Sequence, residues 1–469
     1  MKKFKLSENI DPNKVFIVNR SELEGRFDPI FYASDLAKFN TNIFKSVLLK
    51  SIVKYFKSGF GAGKQEQTDA KNGIIQIRPT NIDENGFLKY DKNIYLPIDK
   101  NSIRIEVDDI LFNNTNSQEL VGKTAILKEN KELTFSNHIT IIRVRKEAIL
   151  PDYLWIILNM YQRNRIFYSI CTNWNNQSGI GLELLKKLKI PLPPLEIQQQ
   201  IVDLYEKAYT EKQQKETEAQ RLLDSIDDYL LGELGITLPK EEEHLPQNTD
   251  KNNSYNLDND NPLVKKGRLF LTNLSEVTGK RWDAFEFKNR KLKLGDGNYP
   301  NKTLKHLAYL LKGQSITSNE IEKGDYPVIA GGQISPYTHN RYNFKGNVIT
   351  ISASGAYSGY VWYHNYPIFA SDCTVVFSKE ESEITTLYLS EILKLKQKEI
   401  YNLQQGAGQP HVYARDLEKI NVPIPSLQKQ KEITNEITAI REKVKQLQIE
   451  AINILETAKR GIEQMILGD

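Results

Sequence analysis

Cysteine is scarce in this 469-residue chain, with only Cys171 and Cys373, and that scarcity excludes a disulfide scaffold. Neither belongs to a CxxC string or a Cys/His cluster, so no zinc site is expected. No uncharged apolar run approaches the ~18 residues of a membrane-spanning helix. The opening MKKFKLSENIDPNK is basic but has no apolar stretch behind it, so it does not read as a signal peptide. A cytoplasmic location is the expectation by elimination. Net charge is also small. Sixty-three basic against 59 acidic residues leave +4, too near balance to establish a polyanionic partner.

The residues present are 39% apolar and 26% charged, enough for real cores, and the length predicts two or more domains. Charge is distributed unevenly. Residues 196–262 hold 16 Asp/Glu and 6 Lys/Arg, so a basic bulk flanks an acidic middle. That pattern suits either polyanion binding through the bulk or a solvated connector between ordinary domains.

Internal repetition is the strongest signal. RFDPIFY (Arg26–Tyr32) returns as RWDAFEF (Arg281–Phe287), and FSNHITIIRV (Phe135–Val144) as ASDCTVVFSK (Ala370–Lys379), which sets His138 opposite Cys373. IPLPPLEIQQQI (Ile190–Ile201) returns as VPIPSLQKQKEI (Val422–Ile433). The framing pieces agree while the interiors differ, as one scaffold carrying two readers would require.

A long heptad segment follows each proline string. Ile201, Tyr205, Ala208, Lys212, Lys215, Ala219, Leu222, Ile226 and Tyr229 alternate steps of four and three. Ile433, Ile437, Ile440, Val444, Leu447, Ala451, Ile454 and Ala458 do the same. Such spacing makes one apolar stripe per helix, and each stripe needs a partner. The prolines stop the preceding structure, and about 36 residues at 1.5 Å each make a rod roughly 50 Å long. Pairing the two helices antiparallel within the chain buries both stripes and would hold the globular modules at opposite ends. Gly232 and Gly235 end the first helix, and the acidic, Asn-rich segment Leu238–Pro262 reads as a linker. The interiors look like mixed strand and helix. Ile74–Ile77, Ile139–Val144, Val348–Ile351 and Cys373–Phe377 are candidate strands; Pro151–Tyr168 and Thr386–Leu403 are candidate helices.

Catalytic readings fail on spacing. Gly59-Phe60-Gly61-Ala62-Gly63-Lys64-Gln65 is one residue short of a Walker loop and has no hydroxyl after Lys64. It reads as a mobile loop near phosphates or a plain turn. Asp28-Pro29-Ile30-Phe31 only faintly matches an adenine-methyltransferase signature, and no Gly-rich methyl-donor loop accompanies it. Phe27, Phe31, Trp282 and Phe285 are read instead as seating or docking residues. No nucleophile triad, metal cluster or carboxylate pair recurs in both halves, so the chain is expected to be non-catalytic.

Arg, Lys, Asn and Gln can pair with base edges, and Tyr and Ser with phosphates. The first interior offers Lys64, Gln65, Gln76, Arg78, Asn114, Asn116, Lys123, Asn176 and Gln177. The second offers Lys312, Gln314, Gln333, His339, Arg341, Tyr357, Gln405, Gln409 and His411. The segments NWNNQSGIG and LQQGAGQPH sit at the same place in their modules, just before the proline strings.

Together, RFDPIFY with RWDAFEF, PVIAGGQISPY, ITISASGAYSGYVWY, FASDCTVVF and the two proline strings resemble the DNA-specificity subunit of type I restriction–modification enzymes. The first module departs by carrying GIIQIRPTNI (Gly73–Ile82) in place of the PVIAGG-like string. The resemblance implies an α+β fold with target-recognition domains at 1–195 and 265–425. Long helices at 196–235 and 426–469 would pair as an antiparallel intramolecular coiled coil, with a linker at 236–264. It implies that each domain reads half of a split double-stranded DNA target in the major groove while the helices fix the spacer. It further implies two methyltransferase subunits using S-adenosylmethionine and two restriction/motor subunits using ATP and Mg2+, with no cofactor in this chain. Two other readings stay open: a system with a fused methyltransferase–nuclease partner, and a coiled-coil adaptor for proteins.

Overall fold

Strand Ile139–Val144 is buried at nearly every position, as a strand covered on both faces requires. Its alternation nonetheless sorts two cores: Ile142 and Val144 enter one, Ile139 and Ile141 the other. The computed structural model describes residues 17, 43–97, 103–174, 177–237, 297–406 and 408–468. Phe27, Phe31, Trp282, Phe285, Asn176 and the linker from 238 to 264 lie outside these.

The chain divides into two units, Met1–Glu216 with Ile449–Asp469, and Thr217–Gln448. Unit 1 opens with β1 (Ser46–Leu48), α1 (Leu49–Ile52), β2 (Val53–Ser58), β3 (Gly73–Ile77) and β4 (Tyr95–Pro97). Then come β5 (Ile110–Asn113), β6 (Thr115–Asn116), β7 (Thr124–Ile126), β8 (Leu133–Phe135) and β9 (Ile139–Val144). Helices α2 (Pro151–Arg163) and α3 (Ile166–Ile170) precede the hairpin β10 (Thr172–Trp174) and β11 (Gln177–Gly179). A short α4 (Leu182–Lys186) and β12 (Lys189–Pro191) lead into α5 (Leu195–Leu234), which continues into unit 2. The main sheet runs β2-β9-β5-β7, a smaller one β4-β3-β8, and β1 pairs β12 to close the neck.

Unit 2 repeats this plan. Its elements are β13 (Asn301–Thr303), α6 (Leu304–Leu307), β14 (Ala308–Lys312), β15 (Tyr326–Ile329), β16 (Thr338–His339) and β17 (Val348–Ser352). After them come β18 (Val361–His364), β19 (Phe369–Ala370), β20 (Cys373–Ser378), α7 (Thr386–Leu395) and α8 (Gln397–Tyr401). Helix α9 (Ala414–Leu417), β21 (Asn421–Pro423) and α10 (Leu427–Leu467) complete the order. Sheets β14-β20-β17-β18 and β16-β15-β19 match those of unit 1, down to a parallel pair in each small sheet (β3 with β8, β15 with β19). The GIIQI string therefore stands where YPVI stands in the copy, which places the atypical first module in register.

Each expected single helix breaks in two. Arg165 adopts φ 60° between α2 and α3, and Lys396 (φ −86°, ψ 15°) interrupts at the equivalent place between α7 and α8. The repeat also needs one shift. Gly59 N donates to Ile139 O as Gly313 N donates to Cys373 O, so Cys373 corresponds to Ile139 and not to His138. The first module has one extra residue in this loop.

The long helices pair antiparallel in both units. In unit 1, Ile201, Tyr205 and Ala208 share a core with Leu455, Ala458, Ile462 and Ile466. In unit 2, Ala219 and Leu222 pack with Ile440, Val444 and Leu447, and Ile226 with Ile433 and Ile437. Beyond Leu447 the buried positions are Ala451, Leu455, Ala458, Ile462 and Ile466, and half-buried Ile454 packs against the same core. Two consecutive steps of four re-centre a 3.6-residue helix that a strict seven-residue repeat would let drift. Lys215, a charged member of the stripe, is matched by Glu450 at 2.5 Å.

Both helices begin with the same latch. Buried Gln198 accepts from Leu150 N (2.8 Å) and donates to Pro193 O (2.9 Å). Gln430 accepts from Thr385 N (2.9 Å) and donates to Pro425 O (3.0 Å) and Glu383 O (2.9 Å). Tyr153 and Tyr388 donate to Pro191 O and Pro423 O respectively. A proline-led strand has carbonyls to spare because proline brings no N–H, and the tyrosines use them.

Candidate nucleic-acid interface

Three loops meet at one edge of each module, gathered by backbone hydrogen bonds. The first leaves β2. A Cβ on Gly59 would lie 2.3 Å from Phe135 O and 2.4 Å from Ser136 O; on Gly313 it would lie 2.1 Å from Ser371 O. Only glycine lets the strand pass this closely. The glycine-rich string thus opens with a packing elbow rather than a phosphate cradle. Glu66 then caps Gly63 N at 2.7 Å, leaving Lys64 and Gln65 exposed.

The second loop leaves β5. Asn114 N donates to His138 O (3.0 Å), and its side-chain amide donates to Thr140 Oγ1 (2.8 Å) and Asn137 O (3.2 Å). Its carbonyl accepts from Ile180 N (2.9 Å). Ala353 makes the same backbone bonds in unit 2, to Asp372 O and from Val412 N.

The third loop is the hairpin. β10 and β11 add to β6 as a three-stranded ladder. In unit 2 the ladder contracts to bridges joining Gln405 and Ser354 to His411. NWNNQSGIG and LQQGAGQPH therefore occupy equivalent places. Trp174 fills the space that a Cβ on Gly179 would need, 2.3 Å from its ring, yet the residue remains 46% exposed.

The candidate base readers separate on this geometry. Lys64, Gln65, Gln177, Lys312, Gln314, Gln333, Arg341, Tyr357 and Gln409 are exposed. Others are turned to structural work. Gln76, 1% exposed, donates to Phe60 O (2.9 Å) and so holds the elbow loop from beneath. Lys123 Nζ donates to Ile82 O (3.0 Å), and burial lowers its pKa from the usual lysine value. His339 is buried edge-on to Phe369 with Nδ1 beside the Glu322 backbone. Gln405 donates to Asp416 (2.7 Å), and Arg78 to Lys92 O (3.2 Å). Asn116 Oδ1 accepts from Ser117 N (2.8 Å), and the His411 ring stacks on Tyr413. Half-buried Asn114 is the clamp described above.

Sequence reasoning passed over Asn137 and Ile334 at the same edges, and took in Trp174 only as part of the NWNNQSGIG segment. The exposed Asn137 lies beside Gly61, where a Cβ would be 3.6 Å from its Oδ1. Ile334, 75% exposed, sits in a turn that Ser335 Oγ ties to Val328 O at 2.9 Å. An aromatic residue inside an Asn/Gly-rich segment was the available signal for Trp174.

The sequence matches the family described as "Type I restriction modification DNA specificity domain" over residues 42–221 and 297–456, one match per module. The chain belongs to this family of specificity subunits. A Methanocaldococcus jannaschii protein named for the MjaX type I restriction enzyme specificity subunit is 26% identical over 374 residues, 78% of each chain. The MjaVIII specificity subunit of the same organism is 29% identical over 160 residues, 32% of this chain and 37% of that one. A chain from a structure concerning type I restriction–modification complex assembly and conformational transition shares the fold. Its TM-score is 0.52 at 14% identity, covering 92% of this specificity subunit and 98% of that chain.

The specificity subunit is non-catalytic and directs the methyltransferase and restriction activities of its partner subunits on DNA. Among the described residues, no group of three or more His, Cys, Asp or Glu is placed to hold a metal ion. No described helix is long and apolar enough to cross a membrane.

Proposed function

We propose that the subunit reads a split DNA target in the major groove, one half-site per module, from the loop edges described above. The domain limits are those of the sequence reading, with 1–195 and 265–425 as readers joined by the two helices. One observation carries the reading: two modules with the same order in their main and small sheets and the same latches present different side chains at the same edge. Lys64, Gln65, Asn137, Trp174 and Gln177 face outward in one, and Gln314, Gln333, Tyr357 and Gln409 in the other. A duplicated scaffold with dissimilar rims is what independent reading of two short sequences needs. Each wrong base pair typically costs ~1–3 kcal/mol, so two short readings multiply into useful selectivity. Phosphate contacts from lysines such as Lys64 and Lys312 add salt-dependent affinity.

In this reading the paired helices set the spacer, two methyltransferase subunits supplied with S-adenosylmethionine modify adenine, and two motor subunits use ATP and Mg2+ to cleave unmodified DNA in the cytoplasm. The test exchanges residues 46–191, bounded by the β1–β12 pairing, for those of a relative, followed by methylome sequencing. One half-site should change. A change in both, or in neither, refutes the assignment.

A further inference from the structure

Both modules rest on a long helix through the same elements, α2 on α5 and α7 on α10, but beyond the shared latch the two seats differ in chemistry. In unit 2, Glu391 of α7 is 2% exposed and receives both guanidinium nitrogens of Arg441 of α10, at 2.6 and 2.5 Å. Lys394 Nζ lies 3.6 Å from the same carboxylate. Burial pushes the Glu391 pKa up, but Arg441 and Lys394 outweigh it and hold the carboxyl below its ordinary value.

The latches give the register between units: Gln198 matches Gln430 and Tyr153 matches Tyr388. On that register Arg441 corresponds to Tyr209, and Glu391 to Ile156. In unit 1, Tyr209 stacks on Phe87 at 4.3 Å, and Trp155 meets Phe87 and Tyr205 edge-on at 5.1 Å. Ile156 is buried beside them. One seat is ionic and the other aromatic.

We propose that these seats are keyed: α10 accepts a module that brings a carboxylate at the Glu391 position, and α5 accepts one that brings an apolar residue there. Which position a recognition module can occupy is thus set by Glu391 and Arg441 as positioning residues, separately from the bases it reads. A buried carboxylate that loses its bidentate partner is left desolvated and underpaired, whereas replacing both partners by apolar groups is often neutral. A second module moved onto α5 would bury Glu391 where Tyr209 offers no cation, leaving Lys394 and a Lys212 already paired with Glu216 to compensate.

The test has two arms on the full chain. Thermal unfolding of Arg441→Tyr, Glu391→Ile and the double variant forms a cycle that does not depend on DNA reading. Each single change should lower the Tm by roughly 6–12 °C, and the double, which puts the first seat's residues at both positions and leaves only the part-exposed Lys394 without its carboxylate, should recover most of that loss. In the second arm residues 301–423 replace 46–191, with and without Tyr209→Arg, and methylation is assayed with the methyltransferase partner. Tyr209→Arg should raise the methylated product about tenfold or more. A double variant as unstable as the singles, or a chimera indifferent to residue 209, overturns keying. A chimera that responds to Tyr209→Arg but keeps the original target refutes the half-site reading and leaves keying standing.

Discussion

Replacing Gln430 by Leu removes one side chain that satisfies three groups at once. The Gln430 side chain is fully buried, and its amide serves Thr385 N, Glu383 O and Pro425 O at 2.9–3.0 Å. Thr385 is the N-cap of α7, so the lost acceptor orphans a helix-start donor as well as two carbonyls. Each unsatisfied buried group costs ~1–3 kcal/mol, and partial relaxation brings the sum to about 3–5 kcal/mol. For a module of this size that lowers the Tm by roughly 6–15 °C. Gln198→Leu should act alike in unit 1, and the two losses should add because they share no partner. Gln199, exposed and with its side chain bonded to Asp203, is the control. Thermal unfolding followed by hydrogen exchange at the Leu150 and Thr385 amides gives both magnitude and place. A Gln430→Leu melt within about 2 °C of the Gln199→Leu melt would refute the latch.

Gly59→Ala and Gly313→Ala should each cost several kcal/mol, because backbone carbonyls cannot yield to the new methyl, while Gly63→Ala, with open space but for Glu66, should be near neutral. Urea unfolding of the three variants decides whether the glycine string is an elbow or a mobile loop. His364 shares a hydrogen bond with Thr350 (2.8 Å) in the core of unit 2, and burial depresses its pKa to about 4. The unfolded chain therefore takes up a proton that the folded one refuses, so stability falls as pH drops from ~6.5 to ~4, by about 3 kcal/mol. His364→Gln should flatten that slope in urea midpoints taken at neutral and mildly acidic pH. At the loop edges, Gln314→Ala or Gln177→Ala should relax one half-site by ~1–3 kcal/mol for a single base pair, whereas Lys64→Ala or Lys312→Ala should weaken binding evenly and reduce its salt dependence. Titrations of DNA carrying single-base changes at two salt concentrations distinguish the two outcomes.

The α+β class, the duplication and the paired helices were legible in the sequence because each rests on periodicity. β-branched runs such as Ile139–Val144 alternate between cores whatever their surroundings, and heptads need only one chain to be read. The latch glutamines were visible too, inside LEIQQQI and LQKQKEI, but nothing local separates Gln198 from Gln199. Burial alone does so, and burial depends on a module helix more than forty residues earlier.

Tertiary structure also decided which polar residues remain available at the rim. Gln76 and Gln65 are equal candidates as letters, yet one supports the elbow loop from the core while the other projects from it. It shifted Cys373 from His138 to Ile139, because ladder hydrogen bonds define correspondence where residue counting absorbs an insertion wrongly. It broke α2 from α3 at Arg165 and added Leu455 to the stripe beside the half-buried Ile454. The division has a physical basis. Periodic burial is a short-range property written along the chain, whereas the exposure of a loop side chain depends on distant segments that arrive beside it only on folding.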